Sequence, residues 1–389
     1  MKRLLIVLTM VLSTAFGADR VPMEPAMEAG LKAYLGELCG LIIKMDLGSG
    51  TLKGTTDTQD SIFINANMAR VLISSYLLTG NTVHLREALR WCDRLHNQQQ
   101  IVLTSDLTEG GYWGDRGETG NIYFGDAGTA TAALAIGYRH ADPKRQRVYM
   151  GALERYARFV RNGVAYDPQH KGRKGSTGWV IESGPDSGSL GCGYFEGKLS
   201  PEPYTIATAT TGVTFFSELY ALTHDAKAKQ ISTNAVRWLF KDRTPDGAIF
   251  CVLGGQKPYK LHWPLAYMTY VGEAWTAVHR LLDDPALRAE IAREVKPSIE
   301  WVLRQQRPDG TWGEPRSGDQ QRSAGVVSFL TWYYSEVDKD PRVAEAVQKY
   351  FRFLLDPERG SACGAKEFVR ATGFVGLAVS EALRPGVTF

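Results

Sequence analysis

The chain has 389 residues, with 45 Lys and Arg, 42 Asp and Glu and a formal net charge of +3. This near-neutral balance has no Lys/Arg-rich run, which excludes the basic surface typical of nucleic-acid binding. Five scattered cysteines form no CxxC pair and no Cys/His metal spacing, so we expect neither a cofactor nor a catalytic metal. Cys39 and Cys92 lie on helical patterns, and one disulfide is possible among Cys192, Cys251 and Cys363. A calcium ion in an Asp-rich loop stays an open alternative.

The N-terminus has the three parts of a secretory signal. A Met-Lys-Arg start is followed by the apolar run Leu4–Leu12 and by small residues at Ala15 and Gly17. The apolar run is too short to span a bilayer, and no later stretch is apolar enough to be read as a membrane helix. We therefore expect a signal peptide at 1–17, one mature domain at 18–389, a periplasmic or extracellular location and no membrane partner.

Apolar residues then recur about every 3.6 positions, and alternating, strand-like runs are scarce. The pattern predicts twelve helices that alternate between an amphipathic, outer type and an almost wholly apolar, inner type. In chain order, the outer and inner helices are expected at 25–45 and 61–79, 83–99 and 126–140, 143–163 and 205–223, 225–242 and 264–282, 286–305 and 323–337, and 341–356 and 370–383. Six such hairpins fit one closed ring in a single all-α domain.

The connections differ in length according to their direction. Those from an inner helix to the next outer helix are short, at Leu77–Val83, His140–Arg145, Leu222–Ala228, Leu282–Leu287 and Val337–Val343. The reverse connections are long and rich in Gly, Trp, Tyr and acids, so all long loops should lie on one face. We call that face, where the inner helices begin, the mouth, and the face of the short joins the base.

Caps and glycines support the ring. At three short joins an N-cap Asp precedes a first-turn Pro, in Asp142-Pro143, Asp284-Pro285 and Asp340-Pro341. Most inner helices carry a Gly near their start, for example Gly128, Gly212, Gly325 and Gly373. Because Gly is costly inside a helix, its recurrence predicts close helix–helix approach around a narrow ring.

A ring of six helical hairpins with long loops on one face resembles the (α/α)6 toroids. Glycoside hydrolases, polysaccharide lyases, sugar epimerases and relatives of the terpene cyclases and prenyltransferases share that architecture. Trp301-Val302 followed by Gln306, Gly310 and Trp312 is similar to the QW motif of squalene–hopene cyclases. The cyclases' Asp-x-Asp-Asp motif is missing, so the resemblance implies a type of structural repeat, in which Trp312 stacks back onto a helix end, rather than cyclase activity.

A second resemblance is to the unsaturated uronyl hydrolases, which are single (α/α)6 domains that rely on Asp residues at the mouth of the ring. Tyr123–Ala127 resembles their entry into an inner helix, an aromatic residue followed by Asp. Ser323–Val327 resembles the start of a late inner helix. Their Arg-Gly-x-Gly-Trp segment has no counterpart in 164–204. The resemblance implies hydrolysis of a glycan that contains uronic acid.

The acidic residues of the mouth suggest a catalytic pair. Hydrolysis of a glycosidic bond needs two carboxyl groups of unequal pKa, and Asp115, Glu118 and Asp126 form the densest acidic cluster. Asp126 and Asp60 each begin an inner helix, where a plain N-cap role is the structural alternative. A helix start favours the ionised carboxylate, which suits a base. We predict Asp126 as the main catalytic group, with Asp60 or Asp115 as its partner.

A rival cluster favours a lyase. β-Elimination from a uronate needs a base for the C5 proton, often His or Tyr, and a group that neutralises the carboxylate. His262 stands just before an inner helix and Tyr267 about a turn deeper. Tyr270, less than one turn beyond Tyr267, and Asn65, Asn67, Glu202 and Arg322 complete the cluster. Buried Tyr or Asn side chains that satisfy internal hydrogen bonds are the structural alternative.

Aromatic residues and helix starts at the mouth indicate an oligo- or polysaccharide as the partner. Aromatic rings stack on sugars, and converging helix N-termini favour anions. The predicted substrate-binding residues are Trp113, Tyr123, Trp179, Tyr204, Trp263, Trp312 and Arg322. Packing within the loops is the alternative for these aromatics. The function predicted first is glycoside hydrolysis, then uronate elimination, then a non-catalytic toroid that binds glycan or protein.

Overall fold

The computed structural model describes residues 19–45, 62–103, 109–113, 122–162, 178–195, 198–249, 251–253, 256–259, 264–313, 317–366 and 369–389. These residues form six helical hairpins. With the outer element first, the first two hairpins are α1 (Pro25–Lys44) with α2 (Ile62–Thr79) and α3 (Thr82–Asn97) with α4 (Phe124–His140). In the third, α5 (Pro143–Asn162) pairs with a continuous inner segment made of α6 (Thr205–Ala207), a π-helix (Thr208–Phe215) and α7 (Phe216–Thr223). The last three are α8 (Ala226–Lys241) with α9 (Pro264–Leu281), the divided outer helix α10 (Pro285–Glu294) and α11 (Lys296–Arg304) with α12 (Ser317–Glu336), and α13 (Pro341–Leu355) with α14 (Val369–Leu383).

The inner helices form a closed ring. Each packs on the next, and α14 packs on α2, so that the last hairpin meets the first. In α2 every residue from Ile62 to Ser75 is buried, as expected for a helix enclosed by neighbours on both sides. Outer helices such as α13 bury one stripe only. The predicted all-α toroid and its two kinds of helix are confirmed.

Two helices depart from the prediction. The fifth outer helix is divided at Val295, because Pro297 follows and has no N–H to continue the hydrogen-bond ladder. The third inner helix is π-helical over Thr208–Phe215, a form that apolar periodicity does not distinguish from an α-helix. Both changes leave the predicted order of helices intact.

Glycines allow the inner helices to touch. A Cβ atom on Gly128 would lie 2.5 Å from the backbone carbon of Thr210, and one on Gly325 would lie 2.0 Å from Cγ2 of Thr269. Neither distance is sterically possible. Glycine is therefore required where α4 meets the π-helix and where α12 meets α9, which confirms the predicted close approach.

In the described parts of the long connections, three small antiparallel sheets occur that were not predicted, because their strands are too short to alternate clearly. The strands are β1 (Gln100–Leu103) with β2 (Glu109–Tyr112), β3 (Ile122–Tyr123) with β4 (Gly191–Phe195) and β5 (Lys198–Pro203), and β6 (Cys251–Leu253) with β7 (Gln256–Tyr259). The three-stranded sheet of β3, β4 and β5, which we call the central sheet, joins the connection before α4 to the connection before α6. It therefore fixes one wall of the mouth.

The buried cysteines and the apolar α2 fit a packed interior. Cys39 and Cys92 are buried free thiols, as predicted. Cys192 is also buried and free, which removes it from the possible disulfide. Among the helices of the described ranges, α2 is long and apolar enough to cross a membrane, contrary to expectation, but 78% of that stretch is buried inside the protein.

Candidate active site

The inner helices begin at the mouth, as the lengths of the connections predicted. Several predicted site residues lie outside the described residues, namely Asp60, Asp115, His262 and Trp263. Tyr123 lies in β3 and Tyr267 in α9, but their side chains are also outside the described part. The site is therefore built from Asp126 and from the groups across the ring.

Asp126 occupies the first turn of α4 and is that turn's acidic residue. It is partly exposed, whereas Phe124, Gly125, Ala127 and Gly128 are all buried. Asp126 is thus the residue of this turn that can be approached from the mouth. This placement agrees with the predicted catalytic role and also with an N-terminal role in the helix.

The start of α4 is held by aromatic packing. The Phe124 ring is fully buried and lies 4.8 Å from the ring of Trp179 and 6.1 Å from that of Phe159, measured between centroids. Directly before the helix, Tyr123 pairs with Gly193 in the central sheet. The backbone that carries Asp126 is consequently fixed on both sides of Phe124.

The opposite side of the mouth carries positive charge. Arg322 on α12 is partly exposed, and its carbonyl accepts a hydrogen bond from Thr269 Oγ1 at 3.5 Å. Arg370, in the first turn of α14, is also partly exposed, and its guanidinium carbon lies 4.7 Å from the centroid of the Phe63 ring. Since α4 is the second inner element of the ring and α12 the fifth, Arg322 lies on the helix opposite Asp126, whereas Arg370 lies on the sixth, two positions from α4.

Arg370 was missed by the sequence reasoning. The available signal was a basic residue in the first turn of an inner helix, where the helix dipole disfavours positive charge. A cation held at such a position is a departure from the usual preference. The Phe63 ring supplies a stabilising cation–π contact for it.

Three of the predicted sugar-stacking residues are enclosed by protein, which corrects the prediction for them. Trp113 has no exposed surface, and its Nε1–H donates to the Leu95 carbonyl at 2.7 Å. Trp312 is equally buried and donates to the Val302 carbonyl at 2.9 Å. Trp179 is 3% exposed. Rings without an open face cannot stack on a sugar, so these three anchor connections to the helical ring.

The QW-like segment has the structural role predicted for it. Trp312 binds back onto the end of α11 through Val302, and Gln306 donates from Nε2 to the carbonyls of Ala346 at 2.8 Å and Gly310 at 3.0 Å. The segment therefore joins one outer helix to the next, α13. It contributes no group to the mouth.

The rival lyase cluster is divided by the structure. Asn65 donates from Nδ2 to Gln98 Oε1 at 3.3 Å, and Asn67 packs its Cβ against Gly373, so both asparagines serve contacts between elements. Tyr270 is partly buried, with its ring edge-on to Phe374 at 6.1 Å. Of the cluster's members with described side chains, this leaves Arg322 on α12, the helix opposite Asp126, Tyr270 on α9 and Glu202 in β5.

Tyr204 and Glu202 stand at the entry to α6. Tyr204 is partly exposed, and its N–H donates to the Leu190 carbonyl at 2.9 Å. Glu202 is exposed in β5. Tyr204 is thus the predicted substrate-binding aromatic whose described side chain is open to solvent. In the described ranges no group of three or more His, Cys, Asp or Glu residues is placed to hold a metal ion.

Comparison with known proteins supports the fold. No protein-family model matches the sequence, and no curated protein does. A glycosyl hydrolase of family 88 from Bacteroides vulgatus has 13% identity and a TM-score of 0.62, covering 90% of this chain and 99% of that one. The α-1,6-mannanase GH76A of Salegentibacter sp. HEL1_6 has 13% identity and a TM-score of 0.61, covering 92% and 98%. A polysaccharide lyase has 13% identity and a TM-score of 0.60, covering 90% and 97%. The chain has the (α/α)6 toroid fold of these carbohydrate-active enzymes, as the resemblance predicted.

Proposed function

We propose that this protein is an exported enzyme that hydrolyses glycosidic bonds in an oligo- or polysaccharide containing uronic acid. The observation that carries the proposal is the arrangement of charge at the mouth. Asp126 lies accessible at the start of α4, Arg322 lies on the opposite inner helix, and Arg370 lies on the inner helix that follows it. The fold is one that glycoside hydrolases of at least two families use.

Asp126 acts in this proposal as the base or the water-positioning group. A helix start stabilises the ionised carboxylate, and the buried packing of Phe124 fixes its backbone. A second carboxyl group must protonate the leaving oxygen. Asp60 or Asp115, each on a long connection that leads to an inner helix, supplies that acid. Their separation from Asp126 decides whether hydrolysis inverts or retains the anomeric configuration.

The arginines define the substrate's charge. A guanidinium binds a carboxylate through two parallel N–H···O bonds, which a neutral sugar cannot provide. Arg322 and Arg370 lie on neighbouring inner helices, and the helix N-termini around them add to the positive potential. A uronate carboxylate placed between Asp126 and these arginines would point toward the arginines.

The mannanase reaction fits this chain less well. That mannanase is inactive when two consecutive aspartates are replaced by Asn or by Ala. The sole Asp-Asp pair of this chain, Asp283-Asp284, precedes α10 on the base. There Asp284 caps the helix by accepting from the Leu287 N–H at 3.0 Å. The mouth therefore has no equivalent pair in the sequence.

The alternative is a lyase that cleaves the same uronate glycan by β-elimination. His262 and Tyr267 would remove the C5 proton, and Arg322 would neutralise the carboxylate. A polysaccharide lyase among the proteins of like fold, and Tyr270 on the inner side of α9, favour this second candidate. A third outcome is a toroid that binds glycans without cleaving them.

One assay separates these functions. The mature protein is incubated with uronate polysaccharides and with their unsaturated oligosaccharides, and absorbance of the 4,5-unsaturated uronate is followed together with reducing ends. A fall in absorbance indicates an unsaturated-uronyl hydrolase, and new reducing ends without a change indicate ordinary hydrolysis. A rise indicates the lyase. Binding without any cleavage across the panel would overturn both enzymatic proposals.

Substitutions then test the site. We expect Asp126→Asn to lower kcat by about 10²-fold or more, as loss of an acid–base group does, and His262→Ala to have the larger effect only in a lyase. Asp142→Asn is the matched control, because Asp142 caps α5 on the base and Asn retains the capping oxygen. An Asp126→Asn enzyme with activity close to wild type would refute the assigned site.

Export is tested separately. We propose that residues 1–17 are removed as a signal peptide and that 18–389 form the mature domain. The described structure begins with residues that contact the ring, since Val21 is fully buried and the Pro22 carbonyl accepts from Gln348. N-terminal sequencing of protein recovered outside the cytoplasm should begin at Ala18. Recovery of the full-length chain from the cytoplasm alone would contradict export.

A further inference from the structure

The turn that carries Asp126 is held by a chain of hydroxyl groups from two neighbouring elements. Thr211, in the π-helix, places Oγ1 at 2.5 Å from the carbonyl oxygen of Phe124. The Tyr156 hydroxyl, on α5, lies 2.8 Å from the same Oγ1. Tyr156, Thr211 and Phe124 have no exposed surface, so water does not replace these hydrogen bonds.

The direction of the chain follows from its end. A carbonyl oxygen can only accept, so the single hydroxyl proton of Thr211 goes to Phe124, and the Tyr156 hydroxyl must donate to Thr211. Burial raises the pKa of Tyr156 far above its ordinary value. The phenol therefore stays protonated throughout the working pH range. Tyr156 always donates to Thr211, and Thr211 always donates to the Phe124 carbonyl.

A second contact holds the other end of the same turn. Gly128 lies directly against the peptide that joins Thr210 to Thr211, with its absent Cβ position 2.5 Å from the Thr210 carbon and from the Thr211 nitrogen. Asp126 lies between the two anchor points, two residues after Phe124 and two before Gly128. Its backbone is thus pressed onto the π-helix at both sides.

The π-helix brings two consecutive hydroxyls to one carbonyl. Besides Thr211, Thr210 places Oγ1 at 3.2 Å from the Phe124 carbonyl, while it also lies 2.9 Å from the Ile206 carbonyl. A π-helical turn inside a longer helix is uncommon and frequently marks a functional site. Here the unusual segment is the one that contacts the helix start bearing Asp126, the proposed catalytic base.

We infer that Tyr156 and Thr211 are positioning residues that fix Asp126 in the geometry needed for hydrolysis. This inference rests on the proposed function, because it assigns a purpose to the rigidity of the Asp126 turn. Neither residue touches the substrate, since both are buried. Their contribution is the fixed orientation of the carboxylate, and misplacement of a catalytic group by about 1 Å can cost about 10²-fold in rate.

The test replaces hydroxyls with groups of like shape. We expect Thr211→Val to lower kcat by about 10- to 100-fold, with KM changed by less than about threefold, and Thr211→Ser to restore most of the rate. Thr214→Val is the matched control, because the buried Thr214 hydroxyl donates within its own helix, to the Ala209 carbonyl at 3.2 Å. It should keep the wild-type kcat despite a similar loss of a buried hydroxyl.

The pH profile separates positioning from simple destabilisation. The acidic limb of kcat reports ionisation of the catalytic base. In Thr211→Val the looser turn aligns the carboxylate less well with the positive end of the helix, which stabilises the ionised form less. The acidic limb should therefore move to higher pH, whereas Thr214→Val should leave it in place. If Thr211→Val does not fold, Tyr156→Phe carries the same test, since it removes the first hydroxyl of the chain alone.

The outcomes distinguish this inference from the proposed function. If Asp126→Asn is inactive while Thr211→Val and Tyr156→Phe have wild-type kcat and pH limb, the positioning role is refuted and the catalytic assignment stands. If Thr214→Val loses as much activity as Thr211→Val, the positioning role is likewise refuted. If Asp126→Asn is fully active, the proposed function itself fails.

Discussion

The base and the mouth of the ring use charged residues in opposite ways. At the base, Arg280 is almost wholly buried and pairs with Glu336 at 2.6 Å and with Glu381. At the mouth, Asp126 and Arg322 are partly exposed and lie on opposite sides of the opening. Charges that are paired inside the protein serve the fold, and we propose that the partly exposed charges at the mouth serve a ligand. In this proposal the base contributes stability and the mouth contributes function.

The chain's own C-terminus completes the base. Thr388 donates from its hydroxyl to Glu381 at 2.8 Å, and the Gly386 N–H donates to the same carboxylate at 3.0 Å. The Phe389 ring lies 5.6 Å from the guanidinium carbons of both Arg70 and Arg280. A cavity of about 40 Å³ remains beside them, enough for a few water molecules and too small for a sugar. Thr388 and Phe389 thus line the base end of this cavity.

The largest effect expected at the base comes from Arg280→Met. This change leaves Glu336 and Glu381 in the interior without their cation, which typically costs about 3–5 kcal/mol of unfolding free energy. The folded fraction should keep the wild-type kcat, because Arg280 lies far along α9 from the mouth. Urea denaturation at pH 7, together with activity per folded molecule, measures both quantities.

An exposed ion pair supplies the control for Arg280→Met. Arg237 pairs with Glu290 at 2.8 Å, with both side chains partly in solvent. We expect Arg237→Met to cost less than about 1 kcal/mol. Equal costs for the two substitutions would contradict the assignment of the base as a buried, stabilising network. A fall in kcat for folded Arg280→Met would show that base and mouth are coupled.

The same network predicts a pH dependence. Burial opposes ionisation of Glu336, but the hydrogen bond from His279 and the charge of Arg280 outweigh it and hold the pKa of this carboxyl below its ordinary value of 4.5. A carboxyl with a depressed folded-state pKa stabilises the protein above its unfolded-state pKa, and this contribution is lost as pH falls through the folded-state pKa. Glu336→Gln should therefore flatten the loss of stability below about pH 4.5. An unchanged acid-denaturation curve in this variant would be the contrary result.

The sequence predicted the scaffold well because each helix carries its own signals. Asp284 and Asp340 cap the outer helices that they were expected to cap, accepting backbone N–H groups at 3.0 and 2.8 Å. Gly128 and Gly325 fall at contacts too close for any side chain. Caps, periodicity and glycine spacing are local, so one sequence suffices to find them.

The site was predicted less completely, because burial of a loop residue depends on the whole fold. Trp113 and Trp312 have the composition of a sugar platform but donate their indole N–H groups to backbone carbonyls inside the protein. The π-helix at Thr208–Phe215 has no periodic signature of its own. Arg280 and Glu381 meet only when the ring closes, 101 residues apart in sequence. Such long-range pairings cannot be deduced from local patterns.

Substitution of the buried Trp113 tests whether this residue contributes to glycan binding or only to stability. Trp113→Phe removes the hydrogen bond to the Leu95 carbonyl, which still accepts from the Gln98 N–H at 3.2 Å, so we expect a cost of about 0.5–1.5 kcal/mol in unfolding free energy. Because the ring has no exposed face, glycan affinity should be unchanged. Isothermal titration with the best substrate analogue, alongside urea denaturation, tests both expectations. A large loss of affinity at unchanged stability would return Trp113 to the substrate-binding set.

The smallest expected effect concerns a cap on the base. Asp340 accepts from the Arg342 backbone N–H at 2.8 Å at the start of α13, and hydrogen bonds from the Arg342 side chain and backbone hold the pKa of Asp340 below its ordinary value. Asp340→Ala should lower the unfolding free energy by about 1 kcal/mol, while Asp340→Asn, which keeps the capping oxygen, should cost less. The difference between the two variants isolates the cap from the ion pair. A depressed folded-state pKa stabilises fully above the unfolded-state value of 3.8, and the contribution is lost as pH falls through the folded-state pKa. The Asn variant should therefore differ least from wild type at a pH well below 3.8. Neither variant should change kcat, and a change in kcat would mean that strain at the base reaches the mouth through α13 and α14.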